Sequence, residues 1–164
     1  MMEIERKFRV IKLPNDLENY EKEEIEQGYL CIKPTVRIRK SNNNYFLTYK
    51  WKNPNVIEGK AIQNIEYEMP LTKENYQHLF NKVDNNMVIK TRYMVPLEDG
   101  HVVEMDFFHH CLEGLVFAEV KFSSVEDSEN FDKPSWLGED ISFDSRYDNA
   151  LLSKIDKYDE KYFE

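Results

Sequence analysis

The sequence predicts a mostly β fold of the α+β class, an antiparallel sheet of eight strands with a few peripheral helices. Apolar and polar residues alternate with period two along most of its 164 residues, the mark of strands rather than helices. Short joints rich in Asn, Asp and Gly connect several of the alternating runs, which favours antiparallel neighbours and hence a meander or barrel. Only two stretches carry helical spacing.

The first strand is expected over roughly 2 to 12, with Ile4, Phe8 and Val10 on one side and Glu3, Glu5 and Lys7 on the other. Further alternating runs place strands at roughly 23 to 33, 35 to 41 and 45 to 52, the last two joined by the Asn42-Asn43-Asn44 tip. A fifth strand follows at roughly 61 to 70. Thr72 can then cap a helix whose Tyr76, Leu79, Phe80 and Val83 recur at helical spacing. Strands at roughly 87 to 97 and 102 to 111 flank the Asp99-Gly100 step, and an eighth lies at roughly 115 to 123. Asp132 to Gly138, with Pro134, reads as a loop, and Leu151, Leu152 and Ile155 mark a short C-terminal helix. The helices are expected outside the sheet or at its ends.

The length suits one domain spanning 1 to 164, and 41% hydrophobic residues suffice for a core. Lys and Arg number 22 against 31 Asp and Glu, a net charge of −9 that opposes broad binding to nucleic acid or an anionic membrane. An anionic ligand therefore needs a locally basic site. The amino terminus lacks the apolar core of a signal peptide, and no run approaches a membrane span, so a cytoplasmic location is expected. Cys31 and Cys111 are far apart with no C-x-x-C, which suggests neither a disulfide framework nor a zinc site. His109 and His110 are adjacent and would point to opposite faces of a strand, a poor start for a metal site.

Charged residues recur at i and i+2 on one strand after another, and this spacing puts both side chains of a pair on one face. The pairs are Glu3 and Glu5 with Lys7 in phase, Arg37 and Arg39, Glu66 and Glu68, Lys90 and Arg92, Glu104 and Asp106, and Glu119 and Lys121. Lys50 adds a cation. A solvated face explains any single pair, but most of the pairs are of like sign, and surface sheets gain little from a row of two arginines. The other reading turns the charges into a closed barrel. A sign-segregated interior must then be wet, paired, or filled by a ligand carrying both signs. A divalent metal on the carboxylates with a polyphosphate on the Arg and Lys residues satisfies it, because hard cations take oxygen ligands and guanidinium groups take phosphate. Periodicity does not say which face points inward.

The N-terminal Glu3-Ile4-Glu5-Arg6-Lys7 is an E-x-E-x-K string, and it resembles the signature of the CYTH superfamily, the triphosphate tunnel metalloenzymes. Gln27-Gly28-Tyr29-Leu30, Arg37 with Arg39, Phe46-Leu47-Thr48-Tyr49-Lys50 and Glu66-Tyr67-Glu68 follow in the order seen in that family. So do Lys90-Thr91-Arg92-Tyr93, Glu104-Met105-Asp106, Ala118-Glu119-Val120, Trp136-Leu137-Gly138 and Arg146-Tyr147. The ordered set spans nearly the whole chain and is far more specific than E-x-E-x-K alone. The resemblance implies a closed eight-stranded antiparallel barrel forming a tunnel. It implies Mg²⁺ or Mn²⁺ on Glu3, Glu5, Glu66, Glu68, Glu104, Asp106 and Glu119, a triphosphate on Lys7, Arg37, Arg39, Lys50, Lys90 and Arg92, and hydrolysis of a terminal phosphate. Tyr29 is similar to a tyrosine acting as a proton acceptor in the family, its other reading being a packing aromatic. The chain has no G-x-x-x-x-G-K-[ST] string, as expected where side chains hold the phosphates.

One position departs from the family, which commonly has E-x-E on the last barrel strand where this chain has Glu119-Val120-Lys121. A lysine there repels a divalent ion and bears on how many metals bind. The resulting expectation is a divalent-metal-dependent hydrolase of inorganic tripolyphosphate. The alternatives are a polyphosphate-binding module with little turnover and an adenylyl cyclase of the same family, with a homodimer compatible with each.

Overall fold

Strands β1 (Met2–Val10), β2 (Glu21–Cys31), β3 (Thr35–Ser41), β4 (Asn44–Lys52), β5 (Ile62–Leu71), β6 (Asp84–Pro96), β7 (Val102–Phe108) and β8 (Val116–Lys121) close a barrel in a computed structural model that describes residues 1–164. All pairings are antiparallel, and the order around the barrel is β1-β5-β4-β3-β2-β6-β7-β8, returning to β1. A ninth short strand, β9 (Leu137–Asp140), and three helices, α1 (Lys73–Phe80), α2 (Val125–Asn130) and α3 (Asn149–Leu152), complete the fold. No helix is long and apolar enough to cross a membrane.

β1 is the closing strand, and its two edges are used unequally. Met2 to Glu5 pair with Ile65 to Ile62 of β5, whereas Glu5 to Arg9 pair with Lys121 to Phe117 of β8. Glu5 is therefore flanked by both neighbours at the point where the barrel closes. Beyond it β5 diverges, and β9 takes over the freed edge opposite Phe8 and Val10. Leu137 and Gly138, read from sequence as the end of a loop, thus begin a strand. α2 was likewise not expected, since six residues give too little spacing to read; Ser124 caps it by accepting from the Asp127 amide.

The expected α1 is present, with Thr72 Oγ1 accepting from the Asn75 amide at 3.1 Å. Tyr76 packs its ring 5.0 Å from that of Tyr45 and donates its hydroxyl to Glu26. His110 and Cys111, the expected end of the seventh strand, belong instead to a 3₁₀ turn, His110–Leu112. At Gly28 a Cβ would fall 2.5 Å from Met87 Sδ and 2.6 Å from a Val83 methyl, so only glycine allows this approach beside Gln27 and Tyr29.

The charged face is the inner one. Its counterpart, the apolar face of β1, β7 and β8, looks outward, and Phe8, Val103, Ala118 and Val120 form a core there with Phe122, Leu137 and Val95. A second core fills one end of the barrel, where Tyr29, Val88, Phe108 and Phe117 pack against Ile141, Tyr147, Ala150 and Leu152 of the C-terminal segment. These barrel residues are in phase with the inward charges, so the C-terminal segment plugs that end and leaves the remainder as a polar cavity.

Candidate functional site

A cavity of about 950 Å³ occupies the barrel interior. Every site residue expected from the sequence lines it except Asp106: the cations Lys7, Arg37, Arg39, Lys50, Lys90 and Arg92, the carboxylates Glu3, Glu5, Glu66, Glu68, Glu104 and Glu119, and Tyr29. Lys121 lines it too.

Strand register explains how like-signed pairs coexist inside a protein. Lys7 stands opposite Glu119, Lys50 opposite Glu66, Arg92 opposite Asp106 and Glu5 opposite Lys121. Cations on one strand thus face carboxylates on the next at these positions, although Glu104 stands opposite Glu119. Lys50 Nζ lies 2.5 Å from Glu3 Oε1, and Arg92 Nη1 lies 2.7 Å from Glu104 Oε2. Burial opposes the charge of Glu119, but Lys7 and Arg92 outweigh it and hold the carboxyl well below its usual range.

Three groups escape this compensation. Arg37 and Arg39 form no ion pair within 4.0 Å, although both line the cavity. Arg39 Nε donates to Gln27 Oε1 at 2.9 Å, and Arg37 Nε is buried without a hydrogen-bond partner. Burial, together with the nearby Arg37 and Arg92 guanidinium groups, pushes Arg39 down to about 10. Two guanidinium groups crowding a third and disfavouring its charge in this way form a site for an anion. The third group is Glu5, only 4% exposed and without an ion pair or hydrogen bond from its side chain. Burial raises its pKa, Lys50 opposes the rise, and the carboxylates of Glu119 and Glu3 add to it.

Glu5 answers whether these residues fit a divalent metal. A buried, cavity-facing carboxylate crowded by two others lacks a cation, and the oxygen donors around it suit Mg²⁺ or Mn²⁺. No three acidic or histidine side chains converge tightly enough to hold a metal as they stand, so Glu3 and Glu119 would have to turn toward Glu5. The donor set fits in its chemistry and needs side-chain rotation to fit in its geometry. Lys121 stands close by, with Nζ 3.6 Å from Glu104 Oε1 and 4.0 Å from Glu3 Oε2.

Asp106 departs from the expected ligand set. It has no exposed surface, and its oxygens take Lys90 Nζ at 2.8 Å and Arg92 Nε at 2.7 Å. It holds two cations in place and presents nothing to the cavity.

The site also contains residues that the sequence reading missed. Gln27 is fully buried, accepts from Arg39 and donates from Nε2 to the Tyr29 hydroxyl at 2.7 Å. Its phase with Tyr29 on β2 was a usable signal. Asn149 Oδ1 accepts from Lys90 Nζ at 3.0 Å, and Asp148 Oδ1 lies 3.9 Å from Lys7 Nζ. Both belong to the C-terminal plug, and no local pattern places them in the barrel.

Comparison with known proteins agrees with this geometry. The sequence pattern of the CYTH domain matches residues 1–158. An inorganic triphosphatase of Nitrosomonas europaea is 34% identical over 157 residues, covering 93% of this chain and 97% of that one. An inorganic triphosphatase of Acetivibrio thermocellus is 32% identical over 130 residues, 78% of each chain. A crystal structure of an inorganic triphosphatase matches with a TM-score of 0.66 at 32% identity, covering 93% of this chain and 94% of its own.

Proposed function

The chain belongs to the CYTH domain family, and on that premise we propose that it hydrolyses inorganic triphosphate to pyrophosphate and orthophosphate in its charged cavity, with Mg²⁺ or Mn²⁺ as cofactor. The observation that carries this reading is the pairing, in one cavity, of two arginines lacking a carboxylate with a buried glutamate lacking a cation. A polyphosphate and a divalent ion supply what each lacks.

Arg37 and Arg39 receive phosphate oxygens, since their guanidinium groups line the cavity, charged and free of carboxylates. Gln27 fixes the Arg39 side chain through Nε, which leaves its terminal nitrogens for the ligand. Lys90 and Arg92 stand on β6, across β2 from the arginines of β3, with Asp106 behind them, so their positions are set before the substrate arrives. Glu5 with Glu3 and Glu119 would hold the metal, and Glu104 and Glu66 are within the same cavity. When bound, the ion would neutralise phosphate oxygens and acidify a water for attack on the terminal phosphorus. Tyr29 is the candidate proton acceptor, its oxygen fixed by Gln27 and adjacent to Arg37. The reading places the protein in the cytoplasm, in keeping with its two free cysteines.

Phosphate release from tripolyphosphate, pyrophosphate, ATP and thiamine triphosphate, each with Mg²⁺ or Mn²⁺, tests the proposal. Tripolyphosphate is expected to be the preferred substrate. Tight tripolyphosphate binding without turnover would leave a binding module, which is the role that Lys121 beside Glu3 and Glu104 favours. Cyclic AMP from ATP would identify a cyclase.

A further inference from the structure

Gln27 holds the centre of a buried hydrogen-bond chain. Its Oε1 accepts from Arg39 Nε at 2.9 Å, and its Nε2 donates to the Tyr29 hydroxyl at 2.7 Å and to Asn149 Oδ1 at 3.3 Å. Asn149 Oδ1 also accepts from Lys90 Nζ at 3.0 Å. The chain runs from Arg39 on β3 through Gln27 on β2 to Asn149 on α3 and Lys90 on β6, with a branch at Tyr29. Asn149 is delivered by the C-terminal plug, whose Tyr147, Ala150 and Leu152 are buried in the core at that end of the barrel.

Cations at its two ends set the direction of the chain. A guanidinium group has hydrogens and no acceptor, so the Gln27 oxygen must face Arg39. An ammonium group is likewise a donor only, so the Asn149 oxygen must face Lys90. That oxygen also meets Gln27, where only the amide nitrogen can serve it. Turning the Gln27 amide over would set N–H against N–H at Arg39 and oxygen against oxygen at Asn149, leaving buried polar groups without partners. The Tyr29 oxygen is therefore an acceptor toward Gln27, and its own hydrogen lies elsewhere. Arg37, opposite Tyr29 across β2 and β3, offers only hydrogens as well. The hydroxyl makes no other hydrogen bond within the protein, so its hydrogen is directed into the cavity that Tyr29 lines.

Resting on the triphosphate hydrolysis proposed above, we infer that Gln27 and Asn149 are a positioning pair for that reaction: oriented by Arg39 and Lys90, they hold the Tyr29 oxygen from within the protein and turn its hydrogen to the cavity. Tyr29 then exchanges a proton with an oxygen in the cavity and with no protein group, and no side chain has to turn for it to do so. The C-terminal plug thereby takes part in the chemistry through Asn149, beyond closing the end of the barrel. Binding and chemistry are also joined, because the two cations that orient the amides line the cavity that receives phosphate.

A double-mutant cycle tests this, because a residue that acts through the Tyr29 hydroxyl loses its effect once the hydroxyl is gone. Gln27→Met, similar in length and without hydrogen-bonding hydrogens, is expected to lower kcat for tripolyphosphate about tenfold or more in the wild type, but less than about threefold in Tyr29→Phe. The part of its effect that passes through Arg39 should appear in KM, equally in both backgrounds. Asn149→Leu should lower kcat in the same hydroxyl-dependent way, and Asn149→Asp, which keeps the acceptor, should recover most of that loss. The Asn149 variants guard against loss of folding in Gln27→Met, which circular dichroism would reveal. Equal fold-losses in kcat with and without the Tyr29 hydroxyl, or an unchanged kcat in Gln27→Met and Asn149→Leu, would overturn the proposal. A wild type that releases no phosphate would remove the hydrolase reading by itself. The cycle is then read in the calorimetric Kd for tripolyphosphate, where a hydrogen directed at the ligand gives the same non-additivity and additive losses would overturn the proposal.

Discussion

Asp106 and Arg92 face each other across β7 and β6, with Arg92 Nε 2.7 Å from Asp106 Oδ1 and Arg92 Nη2 2.9 Å from Oδ2. Lys90 closes the group from the same strand as Arg92. The carboxylate is buried beneath two cations that face the cavity, and this divides the charged residues into those that meet the ligand and one that holds them. Asp106→Asn keeps the shape and removes the charge, leaving Lys90 and Arg92 without their buried counter-ion. Breaking a buried pair from one side costs about 3–5 kcal/mol, so denaturant unfolding should show a loss of that order. An unchanged midpoint would mean that Asp106 does not anchor the pair.

The unequal pairing of the arginines separates their variants. Arg39 has no carboxylate partner, so Arg39→Ala should leave the unfolding midpoint almost unchanged. It should lower kcat/KM for tripolyphosphate by about 10- to 100-fold, the worth of a hydrogen bond to a charged group. Arg92 is bonded to Asp106 and Glu104, so Arg92→Ala should lose both stability and activity. Equal stability losses in the two variants would contradict this division, and wild-type kinetics for Arg39→Ala would remove it from the binding site.

Burial pushes Lys90 down to about 7, with Asp106 opposing the shift and Arg92 adding to it. The unfolded chain holds this proton up to the usual lysine pKa near 10.5, so between about pH 7 and 10.5 the unfolded state binds more protons than the folded one. Stability attributable to Lys90 must therefore rise with pH across that window. Lys90→Met should abolish the rise, so the difference between the two unfolding profiles should change steadily in one direction across the window. Activity should respond in the opposite sense, because a neutral Lys90 binds phosphate less well: KM for tripolyphosphate should increase above pH 7, and less steeply in Lys90→Arg. Parallel stability profiles for wild type and Lys90→Met would refute the assignment.

Lys121 should act on the metal through charge. Its ammonium group lies within 4.0 Å of both Glu3 and Glu104, so it competes with a divalent ion for their oxygens. Calorimetry of Mn²⁺ binding should show weak binding to the free protein and much tighter binding with a non-hydrolysable triphosphate analogue. Lys121→Glu should strengthen binding to the free protein about tenfold, equivalent to ~1.4 kcal/mol. Tight binding by the unliganded wild type, unchanged in Lys121→Glu, would place Lys121 outside the metal site.

The strands and the inward set were legible because both rest on local order. Alternation with period two is a property of consecutive residues, and it put Glu3 with Glu5, Arg37 with Arg39, and Lys90 with Arg92 on common faces without knowledge of their neighbours. The cap at Thr72 was legible for the same reason. Alternation is also symmetric between the two faces of a strand, so it did not decide whether the charges or Phe8, Val103 and Val120 lay inside. Closure between β1 and β5 decided that. Register is non-local as well: Arg92 met Asp106 while Arg37 met Tyr29 and Arg39 met Gln27 because of how separate strands align, and Lys121, opposite Glu5, turned to Glu3 and Glu104 instead. Asn149, Asp148 and the strand at Leu137 came from a segment with no strong periodicity, placed by packing against an open barrel end and a free strand edge. The charges the chain carries were written in its sequence; which of them remain free for a ligand depended on tertiary contacts, because in a buried site a charge is free only if no opposite charge has been folded against it.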